Sequence, residues 1–242
     1  MKSSRPFLFP AARPLDAGKL AGVYRVLRAR FGPQHWWPGE TPFEVMVGAI
    51  LTQNTAWTNV EHAICRLKDA GVLSPSALHR MPLARLAQLI RPAGYFNVKA
   101  RRLRHFVSYL IGGYGGDLRK MRRQSAARLR KELLAVNGVG PETADSILLY
   151  ALGKRVFVID AYTKRIFSRH RIVFSSHRML SDRNPPLIFS LPYEDWQKLF
   201  TDFLPPNLRI FNDFHAQIVR VAKTYCKSQR FLCRDCPMRG YL

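Results

Sequence analysis

Three groups of residues stand at spacings that chemistry could use. In "VNGVGPETADSILLYA", Val136 to Ala151, two glycines flank one valine and a proline follows. Leu129, Leu133, Leu134 and Val136 form an apolar face before this turn. Ala144, Ile147, Leu148 and Ala151 form another after it, so two helices flank the four residues Asn137, Gly138, Val139 and Gly140. Glycine reaches positive φ and admits a second backbone at close range, and Pro141 suits a first helical turn because it has no N–H to leave unpaired. Such a turn serves an ordinary helical hairpin; its outward amides and helix dipole also suit an anion such as phosphate. Twenty residues on, Asp160 follows the apolar "VFVI" and precedes the basic helical pattern "AYTKRIFSR", where an aspartate can cap the helix. Near the end, Cys226, Cys233 and Cys236 stand as C-x6-C-x2-C, a spacing that suits metal ligation better than a secreted disulfide framework.

The charge balance favours the phosphate reading of the hairpin. Lys and Arg number 39 against 16 acidic residues, a formal charge of +23, and this self-repelling excess calls for a polyanionic partner, nucleic acid first. The runs "KARRLRH" and "RKMRRQSAARLRK" precede the hairpin and "KRIFSRHR" follows it. No stretch of about 18 apolar residues could span a bilayer. The first fifteen residues carry prolines where a signal peptide needs an apolar helix, so a cytoplasmic, nucleoid-associated location with no membrane partner is expected.

The elements that must hold these residues read as helices. Asp16 caps a helix to about Phe31, and Thr41 with Pro42 opens a nearly all-apolar helix through Leu51 that must be buried on most sides. Shorter amphipathic segments cover Thr58 to Ala70, Pro75 to His79, Pro82 to Ile90 and Lys99 to Gly112, divided by glycine turns. The one strand-like stretch is "RVFVID". Beyond Arg171 the chain turns to loops, with "RNPP" and "LPP", and a long helix resumes from about Pro205 or Phe211 into Tyr225. The expectation is a nearly all-helical protein.

The hairpin "VNGVGPETA" followed by "VIDAYTKRI" closely resembles the helix-hairpin-helix base-excision DNA glycosylases, the superfamily of endonuclease III and the adenine mismatch glycosylase. The resemblance runs from about Trp36 to the carboxyl end. "HWWPGETPFEVMVGAILTQNT" and "RPAGYFNVKA" look most like its 3-methyladenine glycosylase branch. It implies an all-α fold of two helical domains with a cleft between them. One is a six-helix barrel carrying the hairpin, residues 38–153; the other joins residues 15–37 to 154–242. It also implies a monomer acting on double-stranded DNA that contains a damaged base.

In that family the aspartate is essential, which makes Asp160 the candidate catalytic residue. Breaking an N-glycosidic bond builds positive charge on the sugar, and a carboxylate beside C1′ stabilises it and orients a water. Bifunctional members carry a lysine in the hairpin's second helix that forms a Schiff base; Glu142 stands there and cannot, so a monofunctional hydrolase is expected. An enzyme with lyase activity and a noncatalytic DNA-binding module are the rival readings. The resemblance makes Gln53 or Asn54 the wedge that fills the gap left by a flipped base, with Asn137 to Gly140, Lys164 and Arg165 as DNA contacts. Trp36, Trp37, Phe43 and Tyr95 are candidate walls for a cationic methylated purine, joined by Glu142 and His215. Gln217 departs from the lysine found in one alkylpurine enzyme of the branch, which puts the alkylated-base expectation in question. Many members bind a [4Fe-4S] cluster through four cysteines; here Leu242 holds the fourth position, which leaves an incomplete three-cysteine set, with three-thiolate zinc as a further possibility and otherwise no cofactor.

Overall fold

The computed structural model describes residues 13–170, 172–174 and 191–240. The segment "RNPP", most of the amino-terminal fifteen residues and Leu242 lie outside them. Two compact units divide the chain: Trp36–Val156, and a second made from the segments on either side of it.

The continuous unit packs around α2 (Pro42–Leu51), in which every residue from Phe43 to Leu51 is buried. The nearly all-apolar run predicted this, because a helix without a polar face has nowhere to go except the interior, and its one charged residue, Glu44, is paired with Lys68. Thr41 caps it, its Oγ1 accepting from Glu44 N at 3.1 Å. On it pack α3 (Trp57–Asp69), α6 (Phe96–Tyr114) and α9 (Pro141–Ser146), the last continuing as a π-helical turn, Ile147–Ala151; α4 (Pro75–Arg80), α5 (Leu83–Leu89) and α7 (Leu118–Arg122) pack on α6, and α8 (Ala126–Leu134) on α9. One apolar core runs through all of them, from Met46 and Ile50 to Leu103, Phe106, Leu129 and Leu148.

Helix α6 outruns its predicted end. It passes through Gly112 and Gly113 and stops only at Gly115, whose φ of 62° makes a left-handed cap. Each helical glycine costs about 1 kcal/mol, but the extra turn buries Tyr114 at 6% exposure and brings its hydroxyl to Glu132, which also accepts from Tyr109. Burial and the Tyr114 hydrogen bond offset the propensity.

The second unit holds α1 (Ala17–Phe31), α10 (Ala161–Arg169), α11 (Tyr193–Phe203) and α12 (Leu208–Thr224), with α12 packed on both α1 and α10. Asp16 caps α1 at 2.7 Å and Asn207 caps α12. Among the described residues the only strands are β1 (Arg13–Leu15) and β2 (Ile172–Phe174), one short parallel pair. "RVFVID" takes no regular structure and has no ladder partner among the described residues, so its apolar run is not that of a strand. Its apolar members serve the core instead: Phe157 stacks on Phe200 at 4.3 Å between centroids and meets Phe211 and Phe214 edge-on. Helix α11 falls where loops were expected. Its signal is present in "YEDWQKLF", with Glu194 and Asp195 in the first turn and Trp196, Leu199 and Phe200 on one buried face.

The stacked pair anchors this unit's core, so Phe200→Ala should destabilise the protein by about 3–5 kcal/mol, read as a lowered urea midpoint at unchanged slope.

Candidate active site and nucleic-acid interface

Asp160 sits where the "RVFVID" segment enters α10, with φ −107° and ψ 176°. Its Oδ1 accepts from Thr163 N at 2.6 Å and from Thr163 Oγ1 at 2.8 Å, so it does cap the helix. The other oxygen, Oδ2, lies 3.5 Å from His215 Nε2 on α12. The residue is only 8% exposed. Burial pushes its pKa up, but the charge and hydrogen bond of His215 and the two Thr163 bonds outweigh that and hold the carboxyl below its usual range. The arrangement delivers a buried carboxylate, ionised at neutral pH, with one oxygen anchored and the other facing an imidazole. His215, expected in a base pocket, stands beside the carboxylate and is itself 4% exposed. Gln217 is fully buried, and its Nε2 donates to Gly32 O at 2.6 Å, tying α12 to the end of α1.

The hairpin lies in the other unit. The turn falls at Asn137 to Gly140, between α8 and α9. Asn137 and Gly140 are exposed, whereas the Val139 side chain is buried at 5%, so Val139 has only its backbone to offer a ligand. The two glycines differ in kind. Gly138 has φ +88°, and a Cβ there would collide with Arg102 Cγ and lie 2.8 Å from its Cδ. Gly140 has an ordinary φ of −92°, and a Cβ there would meet nothing within 4 Å. Gly140 also supplies no side-chain oxygen to cap α9. Behind the turn, Asp145 of α9 is fully buried and pairs with Arg130 of α8 at 2.9 Å, fixing the hairpin's two helices.

Gln53 and Asn54, both in the turn after α2, part company. Gln53 points inward, its Nε2 donating to Gly138 O at 3.0 Å and Thr143 Oγ1 at 2.9 Å. Asn54 is exposed, with a left-handed φ of 52°. Trp37 meets Trp57 at 5.2 Å and Tyr150 at 5.1 Å, with Trp36 5.8 Å away. Trp57 and Tyr150 went unremarked in the sequence, although each is an aromatic at the margin of an apolar helix. Phe43 is a core side chain at 5% exposure within α2, the fate of an aromatic on an all-apolar helix. Tyr95 is 72% exposed, and Glu142 is exposed at the start of α9.

A model of the HhH-GPD superfamily base excision DNA repair protein matches residues 47–183. The chain belongs to that superfamily. It is 41% identical over 221 residues, 90% of its length and 93% of the relative's, to the Methanocaldococcus jannaschii protein named "Putative DNA repair glycosylase MJ1434". It is 28% identical to endonuclease III of Sulfolobus acidocaldarius, over 82% of this chain and 80% of that one. Among solved structures, H. pylori 3-methyladenine DNA glycosylase (MagIII) bound to 1,N6-ethenoadenine superposes with a TM-score of 0.70 at 24% identity, covering 86% of this chain and 98% of that one. A non-covalent endonuclease III–DNA complex gives 0.72 at 19%, covering 94% and 95%. These two carry the helical fold; the family itself makes the protein a DNA glycosylase of base-excision repair.

Several basic side chains of this glycosylase that look phosphate-seeking in sequence are committed inside it. Arg165 donates through Nε to Cys226 O at 2.9 Å and lies over the Tyr162 ring, while Lys164 remains half-exposed. Arg169 donates to Cys226 Sγ at 3.2 Å and to the carbonyls of Lys227 and Ser228. The cysteine loop is therefore tied to α10 by two arginines. Cys226 and Cys236 are buried, Cys233 is half-buried, and none is disulfide-bonded. Burial pushes the Cys233 and Cys236 thiols up from their ordinary value. Among the described residues no three His, Cys, Asp or Glu side chains form a group able to hold a metal ion. The three cysteines expected as ligands are thus not gathered into such a group among the described residues, and no chemistry is routed through a cofactor here. No helix among the described residues is long and apolar enough to cross a membrane.

Lys99, 1% exposed, donates to Leu51 O and Ala93 O at 2.8 Å and to Thr55 Oγ1 at 2.6 Å. Burial, with the nearby Arg102 charge, lowers its pKa to about 8 from an ordinary 10.5. Between these values the unfolded chain binds more protons than the folded one, so stability gains as pH rises through the window. The stability of wild type minus that of Lys99→Met should climb from pH 8 to 10 by up to roughly 1 kcal/mol per unit. Urea melts at stepped pH would show it, and a flat or falling difference would mean that Lys99 stays charged throughout.

Proposed function

We propose that this glycosylase is a monofunctional hydrolase that removes an alkylated purine from double-stranded DNA, works as a monomer and leaves an abasic site. The observation that carries the reading is Asp160: buried, held ionised, and with Oδ2 not used in the helix cap. As the bond between C1′ and the base nitrogen breaks, its electron pair leaves with the base and positive charge gathers on the sugar. A fixed carboxylate in a dry site stabilises that charge far better than water does. The same oxygen orients a water toward C1′; the water's oxygen forms the new bond and its proton passes to Asp160 and on to solvent. His215 keeps the carboxylate charged and in place.

The hairpin holds the strand. The amides at the start of α9 face a DNA phosphate, and Gly140, where a side chain would meet only open space inside the protein, leaves room for the phosphodiester backbone to approach. Asn54, exposed at a turn tip, fills the gap as the base leaves the stack, at a cost of a few kcal/mol. Gln53 is spent inside the fold. The rings of Trp36, Trp37 and Tyr150 receive the base; a purine made cationic by alkylation gains from electron-rich faces, which supports this substrate class over a neutral base. Glu142, where a bifunctional relative needs an amine, supports hydrolysis without strand cleavage.

Asp160→Asn should lower single-turnover release of methylated purine by about 10³-fold while leaving duplex affinity within a few-fold of wild type. Wild-type product should nick only after alkali; nicking without it would overturn the monofunctional reading, and tight binding with no release from any of methylated purine, hypoxanthine, uracil or oxidised pyrimidine duplexes would make the protein a binding module. The two hairpin glycines separate fold from function. Gly138→Ala should cost about 1–3 kcal/mol of stability from strain and collision, whereas Gly140→Ala should melt like wild type and bind duplex DNA more weakly.

A further inference from the structure

Helix α6 presents Lys99 and Arg102 one turn apart on the same face, and both reach the four residues that follow α2. Lys99 grips Leu51 O and Thr55 Oγ1, the two ends of that turn. Arg102 Nη1 donates to Gln53 Oε1 in its middle. Gln53 uses its remaining amide group on the hairpin, through Gly138 O and Thr143 Oγ1. The aliphatic stem of Arg102 meanwhile fills the space that a side chain at Gly138 would need. One arginine therefore touches the post-α2 turn by hydrogen bond and the hairpin by packing, and one glutamine closes the circuit between them. Only Asn54 is left exposed in the middle of the turn.

We infer that Arg102 is a positioning residue, which locks the turn at residues 52–55 to the hairpin at 138–143 so that both meet DNA as one body. This rests on the proposal that these two segments bind DNA. An arginine so near a phosphate-binding turn would ordinarily be read as a phosphate ligand, but one edge of its guanidinium, through Nη1, and its stem are engaged within the unit. Its worth is the orientation entropy it removes: two short turns fixed to each other need not be ordered separately when the duplex arrives.

The test uses the full chain with Arg102→Met, Arg102→Lys and Gln53→Glu. Amide exchange is followed by mass spectrometry without DNA, and affinity for an undamaged duplex is measured across a salt series. Arg102→Met should speed exchange by about tenfold in both segments, 52–55 and 138–143, leaving α3 and α4 unchanged. Its duplex affinity should fall about tenfold at an unchanged slope of log affinity against log salt. Arg102→Lys keeps a donor for Gln53 but loses the flat guanidinium, and should recover part of both effects. Gln53→Glu keeps the partner of Arg102 but sets a carboxylate oxygen against Gly138 O, so it should loosen the hairpin alone. That variant decides the matter if Arg102→Met does not fold. Faster exchange in neither segment with Arg102→Met, or in both with Gln53→Glu, would overturn the inference. So would a salt slope reduced by about one with Arg102→Met, since that is the signature of a lost phosphate contact. None of these readouts needs base release, so a wild type that frees no base counts against the glycosidic mechanism alone.

Discussion

A protein assembled from short helices must find partners for the amides and carbonyls left open at every helix end. Here most amino-terminal ends are closed by a side-chain oxygen of Asp16, Thr41, Ser74, Asp117, Ser125, Asp160 or Asn207. Many of the carbonyl ends and turns are closed by long cations. Lys99 takes Leu51 O and Ala93 O, Arg104 takes His79 O and Met81 O, Arg122 takes Ala151 O, and Lys154 takes the carbonyls of Arg122 and Gln124. Part of the charge of +23 is thus structural. A cation donating to a carbonyl at a helix carboxyl end also meets the favourable end of the dipole, which makes lysine and arginine suited to this task as well as to phosphate.

The start of α9 is one of the ends without such an oxygen, because its capping position is Gly140, which has no side chain to give. The hairpin is rigid behind this end, through Arg130 with Asp145 and through Gln53, and open in front of it at Gly140. Asp160 shows the complementary economy. Its cap and its proposed chemistry use different oxygens, so the bonds that seat α10 also aim the carboxylate, and a group that had only to cap would not need to lie beside a buried histidine.

Much of this was legible in sequence because the signals were local. Periodicity and caps located α1, α2, α3 and α12, and the G-V-G turn with Pro141 located the hairpin. Asp160 was legible as a cap from its own neighbourhood and as a candidate catalyst only through its pairing with the hairpin. What could not be read depended on contacts far apart in the chain. Nothing near residue 53 says that Gln53 turns inward, because its partners are 85 and 90 residues away. Nothing in "KARRLRH" says that Lys99 is buried and Arg102 half-buried while Arg101 is exposed. The "RVFVID" stretch misled for a related reason: a short apolar run records that its side chains are buried, and a ladder needs a second strand that the described residues do not bring.

The same logic bears on the cysteine loop. A metal centre would tie the loop by coordination, and the motif spacing pointed that way. The chain also supplies Arg165 and Arg169 from α10, five and nine residues beyond Asp160, with donors to Cys226, Lys227 and Ser228. These bonds join the loop to the helix that Asp160 caps. Two charge-assisted anchors on one helix face hold orientation well, because each guanidinium fixes a plane as well as a distance. On this view the arginines following the aspartate do for the second unit what Lys99 and Arg102 do for the first. They spend positive charge inside the protein to hold a short segment still, and they leave attraction to DNA to the cations that remain exposed.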